Sequence, residues 1–388
     1  EETPGRIVVG THGGGAARLQ DQKVVKVGPL TDRRQAYVWS LLRDRAGRLW
    51  SGTYDGGLFV ADANGERNLP LPEGMGRMVY ALMQDSMDRI WVGTSEGLAF
   101  VEGNQCREWT HAKLLKGCSV RCLAEEPGTR ALWLGTYSQG LFRIAGTNIT
   151  RLGREEGLPG RRISSLHFDQ DGCLWAGVFG AGMIRLRDGK LTSVTEAHGL
   201  PAKTVGSILE DGRGYFWLGT DRGIVRVADA ELHRIAHGEA ASALGSVFDD
   251  ADGLFNFDCS EGYQPTALRD SAGRLWFATL NGVVSVDPRE VAINTNPPPV
   301  VIERVAYKNR AGVWREILNP ASKPVVLPAG SYDIEVRAAA LTFAAPEKSE
   351  YAFRLGGAGA NWVNLHRRRV FYFKSLAPQA YQLQVKAS

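Results

Sequence analysis

One short pattern recurs along the chain every 41 or 42 residues, and this period restricts the possible folds more than any other feature. The pattern combines a turn, an apolar stretch ending in tryptophan, and a Gly-Thr pair that enters a second turn, as in residues 46–57 (AGRLWSGTYDGG). Ala278 takes the place of the pattern's glycine in the last copy, after a longer step of 59 residues. In the other six copies this glycine is Gly10, Gly52, Gly93, Gly135, Gly177 and Gly219. The sequence therefore contains seven copies.

Each copy predicts four short antiparallel strands. Residues 38–44 alternate in polarity and end in an acid, which is the period of two expected of a strand. An Asp-x-x-Gly turn, a strand with the Trp and Gly-Thr, a strand beginning at Gly-Leu and a less regular fourth strand follow. Horseshoe repeats are shorter and helical repeats have a period of 3.6, so the pattern predicts β-propeller blades. We predict an all-β protein with a seven-bladed propeller over residues 1–290.

The repeated side chains have structural interpretations. The tryptophans are predicted to pack between neighbouring blades, and the turn acids to accept backbone N–H groups rather than to form a catalytic ring. In the first copy, residues 1–5 align with the acid and the turn that end a strand. That blade lacks its first strand, so we expect either residues upstream of Glu1 or an unusual ring closure.

A second domain follows the repeats. The proline-rich stretch Asn296-Pro297-Pro298-Pro299 marks a linker, which we place at residues 291–299. Alternating segments such as 331–336 and 381–385 predict a small Ig-like β-sandwich over residues 300–388.

Both halves resemble known families. The seven copies resemble the two-component regulator propeller repeat, with Ala278 as a departure from its glycine. The tail resembles the triple-tyrosine domain that follows such propellers, through Tyr351-Ala352-Phe353, Asn361-Trp362, Tyr372 and Tyr381. The resemblance implies the periplasmic sensor region of a membrane receptor whose output is a histidine kinase or a diguanylate cyclase. It also implies a homodimer through the sandwich, which is truncated at its C-terminus, and a membrane helix beyond Ser388.

The composition and the motifs exclude several functions. The chain has 46 Lys and Arg against 42 Asp and Glu, so it lacks the basic excess that nucleic-acid binding requires. No zinc-protease, nucleophile-elbow, phosphate-loop or EF-hand motif occurs, and we predict no cofactor, no metal and no catalysis. His233 and His237 are four residues apart, which would suit a metal only on a helix, and we place them on a blade edge. A Cys106–Cys118 disulfide is an alternative in an oxidising compartment.

The ligand site is expected where blade-to-blade loops and Gly-Thr turns meet around the central channel. Aromatic faces with arginine and amide donors suit a small molecule such as a sugar, particularly an acidic one. The candidates in these loops are Arg33, Arg34, Tyr54, Arg77, Tyr137, Arg161, Arg162, Phe179, Lys203, Asn256, Asp258 and Asn281.

Two other functions remain open from the sequence. Propellers also carry lyases and lactonases, which would need a metal or an acid/base pair at the channel mouth, where His12 is the only histidine in a turn loop. The chain could instead be a protein-interaction scaffold without a small-molecule pocket.

Overall fold

The computed structural model describes residues 1–20, 23–26, 37–109, 113–239, 245–254, 258–291, 298–320, 324–342, 349–356 and 360–387. The chain divides into two compact units, Glu1–Val291 and Ala292–Ser388. Strands dominate the described part of both units, which confirms the all-β prediction. Within that part, no helix is long and apolar enough to cross a membrane.

The described part of the first unit contains seven antiparallel sheets, each built from strands that follow one another in the chain. The first and second sheets contain β1 (Arg6–Thr11), β2 (Gly15–Gln20) and β3 (Lys23–Lys26), and β4 (Val38–Arg43), β5 (Leu49–Thr53), β6 (Leu58–Asp62) and β7 (Gly65–Leu69). The third and fourth contain β8 (Val79–Gln84), β9 (Ile90–Thr94), β10 (Leu98–Glu102) and β11 (Gln105–Glu108), and β12 (Val120–Glu125), β13 (Leu132–Thr136), β14 (Leu141–Ala145) and β15 (Asn148–Leu152). The last three contain β16 (Ile163–Phe168), β17 (Leu174–Val178), β18 (Gly182–Arg187) and β19 (Lys190–Val194), then β20 (Val205–Glu210), β21 (Tyr215–Thr220), β22 (Gly223–Ala228) and β23 (Ser246–Phe248), then β24 (Ala267–Arg269), β25 (Leu275–Thr279) and β26 (Gly282–Val286).

A short helix, α1 (Asp229–Ala236), connects β22 to β23, so the prediction of a blade edge around His233 is wrong. Acidic residues lie in its first turn and basic residues in its last, which suits the helix dipole. Leu232 and Ile235 form its one buried face and pack in the core beside Val225. Among the described residues, single 3₁₀ turns lie at Lys113–Leu115, Glu196–His198 and Asp250–Asp252.

The repeated tryptophans pack each sheet against the next. Trp50 of β5 shares a core cluster with Val79 and Val92 of the third sheet, and the Trp175 ring lies 5.3 Å from that of Phe216 in the sixth. Trp50 and Trp175 are at most 1% exposed. These contacts explain the tryptophan in six of the seven copies, since one sheet alone cannot bury it; the first copy has Val8 at this position.

The turn acid also holds the tryptophan by a hydrogen bond, which the repeat pattern alone does not predict. The indole N–H donates to the carboxylate in six sheets, at 2.7–3.0 Å. The pairs are Trp50–Asp44, Trp91–Asp85, Trp133–Glu126, Trp175–Asp169, Trp217–Asp211 and Trp276–Asp270. In five of the sheets the other oxygen of the carboxylate accepts backbone N–H groups of its own turn. Each acid thus joins two strands and contributes to the stability of its sheet.

One recurring contact joins the turns of adjacent sheets. Glu125 at the end of β12 accepts hydrogen bonds from the backbone N–H and the hydroxyl of Ser86, at 2.7 and 2.6 Å. Glu1 accepts the same pair from Ser271, at 2.8 and 2.9 Å. Ser271 follows β24, so this contact joins the turn of the last sheet to the first residues of the chain.

The described part of the second unit contains two antiparallel sheets that share a hydrophobic core cluster. The first, in spatial order, contains β28 (Trp314–Leu318), β27 (Val300–Lys308), β29 (Tyr332–Ala340) and β32 (Val370–Ser375), and the second contains β31 (Val363–His366), β30 (Tyr351–Leu355) and β33 (Leu383–Ala387). Phe353 of one sheet stacks on Phe371 of the other, with ring centres 4.4 Å apart. Most of the predicted linker, residues 291–299, lies outside the described residues, and the immunoglobulin-like arrangement stays a prediction.

Candidate ligand-binding site

A non-repeating segment, residues 258–266, contacts the first strand of several sheets, and we call it the crossing segment. We call these first strands, such as β8, β12 and β20, the innermost strands. Gln264 donates its backbone N–H to Tyr80 of β8, at 2.9 Å. Its side-chain amide bonds both backbone groups of Leu123 in β12, at 2.6 and 2.8 Å. Thr266 donates its hydroxyl to the Gly206 carbonyl of β20, at 3.0 Å. One segment therefore contacts strands of three sheets, and Gln264 lies 141 residues after its partner Leu123 in the chain.

In five sheets the first strand carries a β-bulge near its first residue. In β4, β8, β12, β16 and β20 the register shifts around a single residue. These bulge residues are Trp39, Tyr80, Arg121, Ser164 and Gly206. A bulge changes the direction in which its side chain points. The bulge residue is large in the second, third and fourth sheets and small in the fifth and sixth. A Cβ on Gly206 would lie 2.9 Å from the Ser260 carbonyl oxygen, so the crossing segment lies against the small residues.

The large bulge residues belong to a continuous set of rings and guanidinium groups. We call it the aromatic–arginine cluster, and its members are Trp39, Tyr54, Tyr80, Arg121, Tyr137, Arg162, Phe179 and Tyr263. Trp39 stacks on Tyr80 with ring centres 5.1 Å apart, and it contacts Tyr54 and Tyr263 at 4.6 and 4.8 Å. Tyr54 leads through Tyr37 to His12, whose ring lies 4.6 Å from that of Tyr37.

Two arginines extend the stack across the fourth and fifth sheets. The Arg121 guanidinium lies 3.6 Å from the centre of the Tyr80 ring and 5.0 Å from that of Tyr137. Arg162 lies 4.9 Å from the centre of Tyr137 and 3.9 Å from that of Phe179. Tyr54, Tyr137 and Phe179 are each more than 40% exposed, so the cluster reaches the surface. Cation–π contacts of this kind hold a guanidinium in place while leaving its N–H edge free to bind.

The charges of the cluster are unequal. Glu261 of the crossing segment pairs with Arg162 at 2.6 Å. Arg121 donates to the Gly262 carbonyl at 3.2 Å and to the Ser119 hydroxyl at 3.0 Å, and it has no ion pair among the described residues. Burial raises the pKa of Glu261, although Arg162 opposes this, and burial lowers the pKa of Arg121. Among the described residues, Arg162 thus has an acidic partner, Glu261, and Arg121 has none.

The predicted site residues divide into three groups. Tyr54, Tyr137, Arg162 and Phe179 lie in the aromatic–arginine cluster. Five others are exposed and are not members of the cluster: Arg77, Arg161, Lys203, Asp258 and Asn281. The Arg77 guanidinium lies 4.0 Å from the Asp55 carboxylate. Burial and the nearby Asp221 raise the pKa of Asp258. Arg33, Arg34 and Asn256 lie outside the described residues.

Sequence reasoning missed Trp39, Tyr80, Arg121, Glu261 and Tyr263. The first three directly precede the small residue of the innermost strand, a position that alignment of the copies defines. Large side chains occupy that position in three successive copies, and this pattern could have indicated a site. Glu261 and Tyr263 lie between repeats, where no periodic signal exists.

The cluster is suited to recognising a ring-bearing anion. Exposed aromatic faces can stack on the apolar face of a sugar ring, and arginine N–H groups bind carboxylate or sulfate oxygens. The inequality of charge favours acidic over neutral ligands.

Comparison with known proteins bears on the repeats and the fold. Residues 33–55 and 199–222 match the family model described as two component regulator propeller, so the chain carries these repeats. The extracellular domain of the putative hybrid two component system BT3049 from B. thetaiotaomicron is 22% identical with a TM-score of 0.78, and the match covers 100% of this chain and 52% of that one. The corresponding domain of BT4673 is 15% identical with a TM-score of 0.57, over 99% and 53%. The chain thus has the fold of these domains and spans about half of their length.

A more distant likeness concerns an enzyme. A catalytically inactive variant of virginiamycin B lyase from Staphylococcus aureus, solved with quinupristin, is 14% identical with a TM-score of 0.53, over 74% of this chain and 95% of that one. At this identity the likeness shows the fold alone. The chain matches none of the curated proteins.

Proposed function

We propose that the chain is the extracytoplasmic, periplasmic sensor part of a membrane receptor of the two-component type, and that it binds an acidic oligosaccharide at the aromatic–arginine cluster. The observation that carries the ligand class is Arg121, a partly buried cation between two tyrosine rings that has no ion pair among the described residues. The propeller repeats and the fold of extracellular two-component domains support the sensor role.

The proposal includes a closed seven-bladed propeller over residues 1–290. The Glu1–Ser271 contact supports closure, because it repeats between the last and first sheets the bonds that Glu125 and Ser86 make between adjacent ones. The second unit is proposed to be an Ig-like sandwich of the triple-tyrosine type, residues 300–388, following the linker at 291–299.

In the receptor, we expect the sandwich to mediate a homodimer and to pass the signal to a membrane helix. Ligand binding would shift the dimer between two signalling states, which requires unequal affinity for the two. The output module is a histidine kinase or a diguanylate cyclase, and this part of the chain has no catalytic role. A reading frame that encodes neither a membrane helix nor a signalling domain after Ser388 would contradict the receptor role.

Calorimetric titration with matched acidic and neutral oligosaccharides tests the ligand class. A uronic-acid oligosaccharide is expected to bind and its neutral counterpart to bind at least about 10-fold more weakly, since a charged hydrogen bond contributes about 1.5–3 kcal/mol. The variant Arg121→Gln should lose about 10-fold or more in affinity for the acidic ligand alone.

Arg77→Gln is the matched control, because Arg77 is an exposed arginine of the loops outside the cluster. It should leave the affinity unchanged. Equal binding of acidic and neutral oligosaccharides, or equal losses in the two variants, would contradict the proposed site. A lyase or lactonase would instead consume the oligosaccharide, which product analysis of the same samples detects.

A further inference from the structure

The fifth sheet differs from the second and third sheets in the groups that face its turn acid. Asp44 and Asp85 each pair with an arginine four residues later, at 2.6 and 2.7 Å. At the same spacing from Asp169 stands Cys173. The carboxylate of Asp169 instead faces His233 of α1, with Nε2 3.5 Å from Oδ2. Among the second, third and fifth sheets, only the fifth thus has a thiol and an imidazole beside its turn acid where the other two have a guanidinium.

These three side chains bring together the donor atoms of a transition-metal site. A carboxylate oxygen of Asp169, the Sγ atom of Cys173 and a ring nitrogen of His233 all lie within 4.8 Å of one another. Tetrahedral zinc with one oxygen, one nitrogen and one sulfur ligand needs separations of roughly 3.3–3.7 Å. Shifts of about 1 Å would close the difference.

The surroundings provide access and charge. A cavity of about 100 Å³ is lined by Asp169 and His233 and also by Asp171, Glu210 and Asp229. It has room for a water as fourth ligand, and three further carboxylates at its wall attract a cation. Arg185 and Arg187 donate to Cys173 Sγ from the other side, at 3.3 and 3.7 Å. Burial and Asp169 raise the pKa of Cys173, and the two arginines oppose that rise.

We propose that Asp169, Cys173 and His233 form a zinc site that ties α1 of the sixth sheet to the fifth. The mixed oxygen, nitrogen and sulfur donors select Zn²⁺ over Mg²⁺ or Ca²⁺. On binding, the Cys173 S–H bond breaks, its proton passes to buffer, and the sulfur electron pair forms the bond to zinc. No oxidation or reduction occurs. The site is independent of the aromatic–arginine cluster and of its proposed ligand.

Titration of the purified, metal-free full chain with Co²⁺ tests the site. A thiolate-to-cobalt absorption band in the near ultraviolet should saturate at one ion per chain, and Zn²⁺ should abolish it. Cys173→Ser should remove the band, and His233→Asn should weaken Zn²⁺ binding about 100-fold or more, beyond the 10–100-fold cost of losing a neighbouring partner. His237→Asn is the matched control, since His237 is exposed at the end of the same helix.

Several results would overturn the proposal. They are the absence of a cobalt–thiolate band in the native protein, a band that persists in Cys173→Ser, and equal Zn²⁺ affinities of His233→Asn and His237→Asn. If Cys173→Ser fails to fold, the comparison of the two histidine variants decides alone. Isothermal titration in two buffers of different ionisation enthalpy gives a second readout, because thiolate coordination releases a proton and coordination by imidazole and carboxylate does not.

Discussion

Gly177→Ala would test whether adjacent sheets pack as closely as the repeat requires. A Cβ on Gly177 would lie 2.0 Å from the Val205 carbonyl oxygen and 2.5 Å from the Ser165 hydroxyl oxygen. Val205 begins β20, the innermost strand of the next sheet, so its backbone cannot rotate away as a side chain could. The strand would have to move outward by more than about 1 Å to restore ordinary contact, at the expense of its own neighbours.

Overpacking usually lowers the free energy of unfolding by about 1–3 kcal/mol and sometimes by more. Because the obstacle here is a backbone atom, we expect a loss of about 3 kcal/mol or more for Gly177→Ala. For a unit of this size the loss corresponds to a fall in melting temperature of roughly 6–12 °C. Thermal and urea unfolding followed by near-ultraviolet circular dichroism would measure it.

Gly153→Ala is the matched control for this variant. A Cβ on Gly153 meets only side-chain atoms, at 3.5 and 3.8 Å, so the free energy of unfolding should change by less than about 1 kcal/mol. Equal stabilities of the two variants would refute the close approach of the fifth and sixth sheets.

Two further predictions concern charged groups. Asp85→Asn should lower the free energy of unfolding by about 2–4 kcal/mol, because the buried carboxylate accepts from Trp91 and from the backbone and side chain of Arg89, whereas Asp88→Asn in the same turn should cost less than about 1 kcal/mol. Burial alone would raise the pKa of Asp85, but these bonds lower it, so the wild type loses this stability as the pH falls below the ordinary value of 3.8, and Asp85→Asn should lack that loss. Burial raises the pKa of Glu261, so its contribution is present at low pH and is lost as the pH rises above 4.5. Denaturant unfolding of Glu261→Gln between pH 4.5 and 7 should show a flatter profile than the wild type, and exposed Glu155→Gln should not; parallel profiles would contradict the raised pKa.

The repeat made most of the first unit predictable. Strand order, the inter-sheet tryptophans and the required glycine follow from local periodicity, because each copy repeats the same contacts with the next. The helix α1 was missed because a fourth strand was expected there, although Asp229 and Glu231 at one end and Arg234 at the other favour a helix.

The candidate site was predictable only in part, for a physical reason. Tyr54 and Arg162 lie in loops that the repeat itself locates. Trp39 and Arg121 lie inside strands, and only the bulge, which depends on inter-strand register, aims them at the crossing segment. Glu261 contacts Arg162 although the two residues are 99 positions apart in the chain, and no local sequence pattern predicts such a contact.

A crystal structure of the chain with the most tightly bound acidic oligosaccharide tests the central claim most directly. We predict a sugar ring stacked on an aromatic face of the cluster and its acidic group within hydrogen-bond distance of the Arg121 guanidinium, inside a closed circle of seven sheets. A ligand bound at the outer edge of a sheet, or an open arrangement in which Glu1 and Ser271 lie apart, would contradict it.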